Sequence, residues 1–360
     1  MAVFAVETVA RLLRDGRLPA VTSWTVEPRH GHVAVLVYRD GARRVIRDGD
    51  LGHNPSAGAA VARDKDFTKF VLGQAGLPSL PGFSFALPNW LRHTRQGQVG
   101  LAQVQAQVRE RVIAEGLAFP LYVKPNDGSQ GLDVFRCRSE ADLTAAVAQF
   151  ERHQVQLGLV EAALDWPAHR LVVLDSSVVC AYQTLPLTVS GDGRSDLGQL
   201  IERARADLER RGRAVRIDLD DPRIPATLAE QGLDVSAVPA AGQAVRVRDS
   251  SNLSAGGSAR AVPIEAAPAE DGIGRVGPGE DGARRVDPSW LALAQSAAAA
   301  LGLNWCGVDL LCPDITRPGQ GFLLEVNASP GLEHYASLGP AQLGRVEESY
   351  VRMLERSPGR

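Results

Sequence analysis

Short apolar runs recur along the chain, separated by polar turns or by longer stretches of helical periodicity. The runs have the length of buried strands, whereas the periodic stretches place apolar residues three or four positions apart, as on one face of a helix. Strand-like runs lie at residues 33–38, 121–123, 157–164, 169–174, 178–182, 306–311 and 322–326. The pattern predicts a fold of the α+β or α/β class, with a small α/β unit over residues 1–60.

Three stretches carry clear helical periodicity: residues 61–76, 140–152 and 290–301. In the first of them Phe67, Phe70 and Val71 share one face, and Lys65 lies in the first turn. A lysine at the start of a helix is ordinarily part of a surface ion pair, and the functional alternative is a lysine directed at a nucleotide phosphate. The second helix has Ser139 as its expected N-cap residue.

Residues 119–135 have the pattern of a strand, a polar turn with two glycines and a second strand. The first strand ends at Lys124, and the turn contains Gly128 and Gly131. Glycines let backbone N–H groups approach a phosphate without a Cβ in the way, and the lysine would supply a positive charge. The spacing is not that of a P-loop, because no Gly-Lys-Ser/Thr follows. A plain hairpin with a polar turn is the alternative interpretation.

Two acidic residues interrupt otherwise apolar strands near the C-terminal end. They are Asp309, in the run 306–311, and Glu325, in the run 322–326, with Asn327 two residues later on the same face of its strand. Burying a carboxylate is costly unless it is paired or bound to a metal, so we expect these strands to be neighbours with converging acids. Two carboxylates and one amide oxygen suit Mg²⁺, whereas zinc is disfavoured because no His or Cys lies at ligand spacing.

Composition narrows the class of protein. The chain has 360 residues, 44% of them hydrophobic and 22% charged, as is usual for a globular protein. The net charge of −3 gives no reason to expect nucleic acid as a partner. No apolar run is long enough for a bilayer, and the N-terminal stretch lacks a basic region typical of a signal peptide. The four cysteines lie in or beside apolar runs without CxxC spacing, which favours buried free thiols in a cytoplasmic protein (Cys137, Cys180, Cys306, Cys312).

Seven motifs, in this order along the chain, resemble those of ATP-grasp ligases. They are DKDFTK from residue 64, YVKPNDGSQG from 122, VEAAL with HRLVV from 160, GDGRSDLGQLI from 191, NLSAGGSA from 252, GVDLL from 307 and LLEVNASPGL from 323. The resemblance is to the ATP-grasp portion of cyanophycin synthetases and to the ligase half of bifunctional γ-glutamylcysteine–glutathione enzymes. It covers residues 60–345 and implies the ATP-grasp fold, in which two α+β subdomains clamp ATP.

The resemblance also implies site residues. Two lysines would bind the ATP phosphates, a loop would cover them, and a hinge would hold the adenine: Lys65 and Lys124; Asp127, Gly128, Ser129, Gln130 and Gly131; Glu161, Ala162, Ala163 and Leu164. The ligands of two Mg²⁺ ions, for which Mn²⁺ could substitute, would be Asp309, Glu325 and Asn327. Arg248 and Asn252 would face the acyl phosphate and the acceptor, and Arg170 would help to orient the substrate.

From the resemblance we expect an ATP-dependent ligase that joins a carboxylate to an amine on amino acids or peptides, without nucleic acid or membrane as partner. A homodimer or homotetramer is expected by analogy. The alternatives are a protein-modifying amino-acid ligase and a nucleotide-binding module without catalysis. The expected division of the chain is an N-terminal unit (1–60), a helical linker (61–118), a lid subdomain (119–185), a large subdomain (186–345) with a Pro- and Gly-rich surface insertion at 266–287, and a tail (346–360).

Overall fold

The computed structural model describes residues 4–94, 99–128, 131–213, 215–264 and 285–358. The strands are β1 (Val21–Val26), β2 (Val33–Tyr38), β3 (Arg43–Arg47), β4 (Gly82–Ala86), β5 (Leu121–Pro125), β6 (Phe135–Cys137), β7 (Leu157–Ala162), β8 (Ala168–Leu174), β9 (Ser177–Leu185), β10 (Thr188–Ser190), β11 (Ala244–Arg246), β12 (Ser258–Val262), β13 (Trp305–Leu311) and β14 (Phe322–Asn327). The helices are α1 (Phe4–Arg14), α2 (Ser56–Val61), α3 (Lys65–Gln74), α4 (Pro88–His93), α5 (Leu101–Ala114), α6 (Glu140–Arg152), α7 (Leu197–Arg210), α8 (Arg223–Ala229), α9 (Pro288–Ala300), α10 (Glu333–Ala336) and α11 (Pro340–Leu354).

The N-terminal region forms a three-stranded antiparallel sheet in the order β1–β2–β3. Every second residue of β2 is buried, which directs Ala34, Leu36 and Tyr38 to one face. That face joins α1 and α11 in a hydrophobic core that also contains Trp305 and Tyr350. The N-terminal sheet therefore shares its core with the C-terminal part of the chain.

A second sheet has four antiparallel strands in the order β4–β7–β5–β6. Leu121, Val123 and Val160 belong to the core that this sheet forms with α5 and α6. Because side chains alternate along a strand, Lys124 and Glu161 lie on the opposite face. One face of this sheet is therefore apolar and the other carries charge.

The helix predicted at residues 140–152 is confirmed with the same bounds. The Ser139 side chain accepts a hydrogen bond from the main-chain N–H of Asp142 and caps the helix. Its predicted apolar stripe is buried against the sheet (Leu143, Ala146, Val147, Phe150).

The largest sheet has five antiparallel strands in the order β12–β9–β8–β13–β14. The predicted adjacency of the two acid-bearing strands is confirmed, because β13 pairs with β14 and places Asp309 opposite Glu325. On its other side β13 pairs with β8, and Arg170 lies opposite Asp309. Helix α9 packs Ala294 and Ala297 into the core beneath the sheet. The three charged residues therefore occupy one row across the neighbouring strands β8, β13 and β14.

Between β9 and β12 the chain builds a small separate core. Strands β10 and β11 form a two-stranded antiparallel sheet, and α7 and α8 pack beside it. The core is apolar and includes Leu197, Ile201, Ile224, Leu228 and Val245. We call this part, residues 187–247, the inserted unit.

The helix predicted over 61–76 is α3, which begins at Lys65, and Val61 is the last residue of α2. The break lies just before Asp64, whose side chain accepts a hydrogen bond from the main-chain N–H of Phe67 and starts α3. Of the predicted apolar face, Phe67 and Phe70 are turned outward, 58% and 65% exposed, whereas Val71 packs against the core. The inward side of α3 carries Lys65, Thr68 and Leu72 instead.

The hairpin predicted at 119–135 is present, but its second strand, β6, starts at Phe135 rather than at Leu132. The sheets also cross the expected domain limits: β4, in the expected linker, belongs to the four-stranded sheet, and β8 and β9, in the expected lid subdomain, belong to the five-stranded sheet. The domain division itself stays a prediction. The insertion predicted at 266–287 lies outside the described residues, except for its last three. None of the helices in the described ranges has the length and apolarity needed to span a membrane.

Candidate functional site

The first part of the site is the start of α3, where Lys65 is buried. Its Nζ donates to the carbonyl oxygens of Asn126, at 3.3 Å, and Gly128, at 2.7 Å, and lies 3.9 Å from Oε2 of Glu325. Burial lowers the pKa of Lys65, while Glu325 opposes that shift. Asn126 is itself buried, and its Oδ1 accepts from the main-chain N–H of Asp66. The strand end of β5 is thereby fixed to the first turn of α3.

The second part is a carboxylate held between two lysines. Glu161 on β7 is 1% exposed, and its Oε1 lies 2.6 Å from Nζ of Lys69 and its Oε2 lies 2.5 Å from Nζ of Lys124. Burial alone raises the pKa of Glu161, but the two ammonium groups bring it below its ordinary value. Lys69 also donates to the carbonyl oxygen of Leu80. Glu161 was predicted as part of an adenine hinge, and its side chain forms an ion pair with Lys124.

The third part is the row of charged residues on the five-stranded sheet. Nε and Nη2 of Arg170 each lie 2.5 Å from one oxygen of Asp309, which makes a bidentate pair. Nδ2 of Asn327 donates to Oε1 of Glu325 at 3.0 Å and to Oδ2 of Asp309 at 3.4 Å. The three predicted metal-binding side chains therefore converge, and Arg170 lies beside them.

The two acids of this row differ in their electrostatic setting. Burial raises the pKa of Asp309 to about 6, although Arg170 opposes the shift. Burial also acts on Glu325, but Lys65, Lys124 and Arg170 together lower its pKa to about 2. Both groups are ionised at neutral pH, and the structure places more acid than base in this row.

The neighbouring His169 points to the opposite face of β8 from Arg170. Its Nδ1 lies 3.7 Å from Sγ of Cys312, and burial lowers its pKa to about 4. All four cysteines are buried and free, as predicted, and burial raises the pKa of each thiol to about 12 (Cys137, Cys180, Cys306, Cys312). A nucleophilic thiolate is therefore not part of this site.

The predicted loop over the phosphates is described at Asp127, Gly128 and Gly131, whereas Ser129 and Gln130 lie outside the described residues. Gly131 has φ of +70°, and a Cβ there would lie 3.3 Å from Cβ of Asn252. Its carbonyl oxygen accepts from Nη1 of Arg223 at 2.9 Å. The loop is thus held against the 252–257 segment and against α8.

Arg248 lies near Arg223 and the loop, and not among the acids of β13 and β14. It is buried, and its Nη2 lies 2.9 Å from Oδ2 of Asp221, which also binds Arg223. Asn252 accepts a hydrogen bond from the main-chain N–H of Ser254. Within the described ranges no direct hydrogen bond or ion pair joins Arg248 or Asn252 to the acids on β13 and β14.

The predicted hinge begins at Glu161 and continues to Leu164. The main-chain N–H of Ala162 donates to the carbonyl oxygen of Pro81, and that of Ala163 donates to the carbonyl oxygen of Pro120. Leu164 is half-buried and follows directly. The amides of this segment are therefore engaged by neighbouring loops, and its role in binding adenine stays a prediction.

Sequence reasoning missed Lys69, although the motif DKDFTK contains it. Two signals identify it. It lies four residues after Lys65, on the same face of a helix. In addition, the chain has 3 lysines and 36 arginines, and the three lysines all meet at Glu161 and Glu325.

The comparisons with known proteins agree with this geometry. Residues 91–220 match the family model of the RimK-like ATP-grasp domain. The bifunctional glutathione synthetase from Pasteurella multocida has a similar solved structure, with a TM-score of 0.58 and 19% sequence identity over 98% of this chain and 43% of that chain. Residues 91–220 are therefore similar to the RimK-like ATP-grasp domain, and the chain has the ATP-grasp fold.

Two relatives are similar in sequence. The cyanophycin synthetase of Crocosphaera subtropica is 27% identical over 83% of this chain and 31% of its own length. The glutathione biosynthesis bifunctional protein GshAB of Mannheimia succiniciproducens is 28% identical over 79% of this chain and 34% of its own length. The predicted resemblance is confirmed, and the chain spans about a third of the length of these curated relatives.

Proposed function

We propose that the chain is an ATP-dependent carboxylate–amine ligase that forms an amide bond on amino acids or small peptides through an acyl phosphate and releases ADP and phosphate. The observation that carries the proposal is the approach of Lys65 to Glu325, at 3.9 Å, because it sets a phosphate-binding charge beside a pair of acids. The sequence relatives, named for cyanophycin and for glutathione biosynthesis, support a synthetic reaction.

Lys65 and Lys124 would bind the phosphates of ATP. They extend from two different elements, α3 and β5, towards the same charged layer, and each is less than a tenth exposed. A buried ammonium loses hydration, so a phosphate that replaces the missing water is strongly favoured. Phosphoryl transfer needs positioning and charge neutralisation more than covalent help from the protein, and these two side chains supply both.

Asp309, Glu325 and Asn327 fit a magnesium site. Two carboxylates and an amide oxygen are hard ligands, and the hydrogen bonds from Nδ2 of Asn327 to both acids support the proposal by bringing its amide beside them. In the described ranges no group of three or more His, Cys, Asp or Glu side chains is arranged to hold a metal. The phosphates of the nucleotide and water molecules would supply the remaining ligands of the cation. Mg²⁺ bound there, as a pair of ions or replaced by Mn²⁺, would neutralise charge on the phosphates.

Arg170 would orient the reacting carboxylate. Its bidentate pair with Asp309 fixes the guanidinium plane, and its Nη2 also lies 3.7 Å from Oε1 of Glu325. A planar, fixed guanidinium is suited to hold a carboxylate or an acyl phosphate at its free edge. Arg248 and Asn252 would approach the acyl phosphate from the side of the loop.

The loop at residues 127–131 would exclude water from the acyl phosphate, which water would otherwise hydrolyse. Its support is the contact of Gly131 with Arg223 and Asn252. The segment Glu161 to Leu164 would hold the adenine through its main chain. The buried free cysteines support a place in the reducing cytoplasm, and a homodimer or homotetramer stays a prediction that light scattering would test.

The experiment is a screen of amino acids and dipeptides for ADP release, with mass spectrometry of the products. We expect ADP release with Mg²⁺ only when a suitable pair of substrates is present, together with a product heavier by the joined amine minus water. Tight nucleotide binding without substrate-dependent ADP release from any pair would instead favour a nucleotide-binding module without catalysis.

A further inference from the structure

Lys69 has no role in the assignments above, yet its contacts tie it to the phosphate side of the site. Its ammonium lies 2.6 Å from Glu161 and donates to the carbonyl oxygen of Leu80, and the side chain is 13% exposed. Both contacts hold it on the far oxygen of Glu161, with Lys124 on the other.

Glu161 is closely packed by the neighbouring strand. Gly82 of β4 is paired with Glu161, and a Cβ at that position would lie 2.2 Å from the carbonyl oxygen of Val160 and 3.0 Å from Cγ of Glu161. Bulk water is excluded, since the side chain is 1% exposed. The charge of this carboxylate is therefore met by Lys69 and Lys124.

The formal charge of these three residues is +1, from two ammonium groups and one carboxylate. Without Lys69, the carboxylate would cancel the charge of Lys124 and the sum would fall to zero. Lys124 would then be a neutralised partner of Glu161, and its attraction for a phosphate would largely disappear, because a buried charge is only weakly screened.

The residue usage of the chain supports a specific need at this position. Of 39 basic residues, 36 are arginine and three are lysine. All three lysines lie beside Glu161 or Glu325. Lysine is a compact point charge, whereas the planar guanidinium of arginine needs more space and donates in several directions. At position 69 one ammonium group reaches both Glu161 and the carbonyl oxygen of Leu80.

We propose that Lys69 is a positioning residue for nucleotide binding. It pairs with one oxygen of Glu161 and offsets the charge of that carboxylate, so that Lys124 keeps a positive charge for the phosphates of ATP. This inference rests on the proposed function, because it assumes that a nucleotide binds at Lys124. The contacts of Lys69 are with Glu161 and Leu80, so it would act on the phosphates through Lys124.

The test is calorimetry with a non-hydrolysable ATP analogue and Mg²⁺ on four proteins: wild type, Lys69→Met, Lys69→Arg and the double variant Lys69→Met with Glu161→Gln. Loss of one unit of charge close to a phosphate predicts binding about 30-fold weaker in Lys69→Met. Lys69→Arg should bind between wild type and Lys69→Met, because the charge is kept and the fit is poorer.

The double variant separates a charge effect from a packing effect. It restores the sum of +1 at Lys124, so we expect its affinity to return to within about 5-fold of wild type. A purely structural role predicts the reverse, since two altered buried residues should bind more weakly than one. Thermal melting of each protein controls for folding, and Lys69→Gln, which keeps a donor for Leu80, replaces Lys69→Met if that variant is unfolded.

Two results would overturn the inference: wild-type affinity in the folded Lys69→Met or Lys69→Gln variant, or a double variant that binds more weakly than its single parent. Failure of the wild type to bind the analogue would overturn the proposed function itself, and this inference with it. Binding without ligase activity would leave the role of Lys69 in nucleotide binding intact and remove the ligase.

Discussion

The two larger sheets each bury one three-membered charge cluster, and the two clusters have opposite sums. On the four-stranded sheet one carboxylate, Glu161, meets two lysines. On the five-stranded sheet two carboxylates, Asp309 and Glu325, meet one arginine, Arg170. The three residues of the first cluster carry a formal +1, and the three of the second carry a formal −1 before Lys65, which lies 3.9 Å from Glu325, is counted.

The difference indicates what each side is built to receive. A surplus of positive charge that lacks bulk water attracts an anion, and a surplus of negative charge attracts a cation. Lys65 lies between the clusters, 3.9 Å from Glu325 and fixed to the end of β5 by two carbonyl oxygens. A triphosphate with magnesium would satisfy both surpluses at once, so the charges of the two clusters support the proposed ATP site.

The largest expected effect comes from removing one acid of the negative cluster. Asp309→Asn or Glu325→Gln should lower turnover by about 1000-fold or more, because the site then lacks a charged ligand for Mg²⁺. Turnover is measured as ADP release, and melting temperature verifies the fold. Glu110→Gln, at an exposed position on α5, is the matched control and should behave as wild type. Full turnover in either site variant would contradict the role of the negative cluster as a magnesium site.

The positive cluster depends on α3 presenting its lysines inward, which a stability measurement can sharpen. Leu72 is 1% exposed on the inward side, so Leu72→Ala should cost about 3 kcal/mol of the free energy of unfolding through lost burial and a cavity. Phe70 is 65% exposed, so Phe70→Ala should change it by less than about 0.5 kcal/mol.

Urea unfolding followed by circular dichroism measures both values. The opposite ranking, with Phe70→Ala the more damaging, would restore the apolar face that the periodicity alone predicts, and it would place the lysines of α3 outside the site.

A smaller effect is expected where β6 meets the inserted unit. Arg138, directly after β6, binds both Glu230 and Asp249, the latter at 3.1 Å, and Arg246 lies 3.0 Å from Glu230. This network joins the four-stranded sheet to the inserted unit beside the 127–131 loop. Glu230→Gln should weaken binding of the ATP analogue by about 3-fold and reduce the dependence of affinity on salt, because partly exposed ion pairs are worth little and are screened.

Unchanged salt dependence in Glu230→Gln would show that the network does not contribute to closure over the nucleotide. Glu209→Gln, at an exposed position near the end of α7, is the control for a general change in charge.

The negative cluster could be predicted from the sequence, and the positive cluster only in part. Asp309 and Glu325 stand out because each interrupts an apolar strand, and strands joined by a short loop are usually neighbours. Lys124 stands out because it ends a strand before a glycine-bearing turn. These signals are local, and the register of the strands brings the side chains together.

The parts that the sequence did not reveal depend on long-range packing. The periodicity of α3 favoured Phe67 and Phe70 as the inward face, but Glu161 is 92 residues further along the chain than Lys69 and selects the lysine face instead. The placement of Arg248 beside Asp221 depends on the inserted unit, whose position no local pattern defines. The scarcity of lysine was visible in the composition, and it gains meaning only once the three side chains are seen together.

The most direct test of the account is calorimetry of the non-hydrolysable ATP analogue, with and without Mg²⁺, on wild type and on Lys124→Met. The account predicts binding that requires Mg²⁺ and is about 100-fold weaker in the variant, which loses the positive surplus of the four-stranded sheet. No heat of binding to the wild-type protein, or equal affinity in both proteins, would contradict the claim that the two charge clusters receive a magnesium-bound triphosphate.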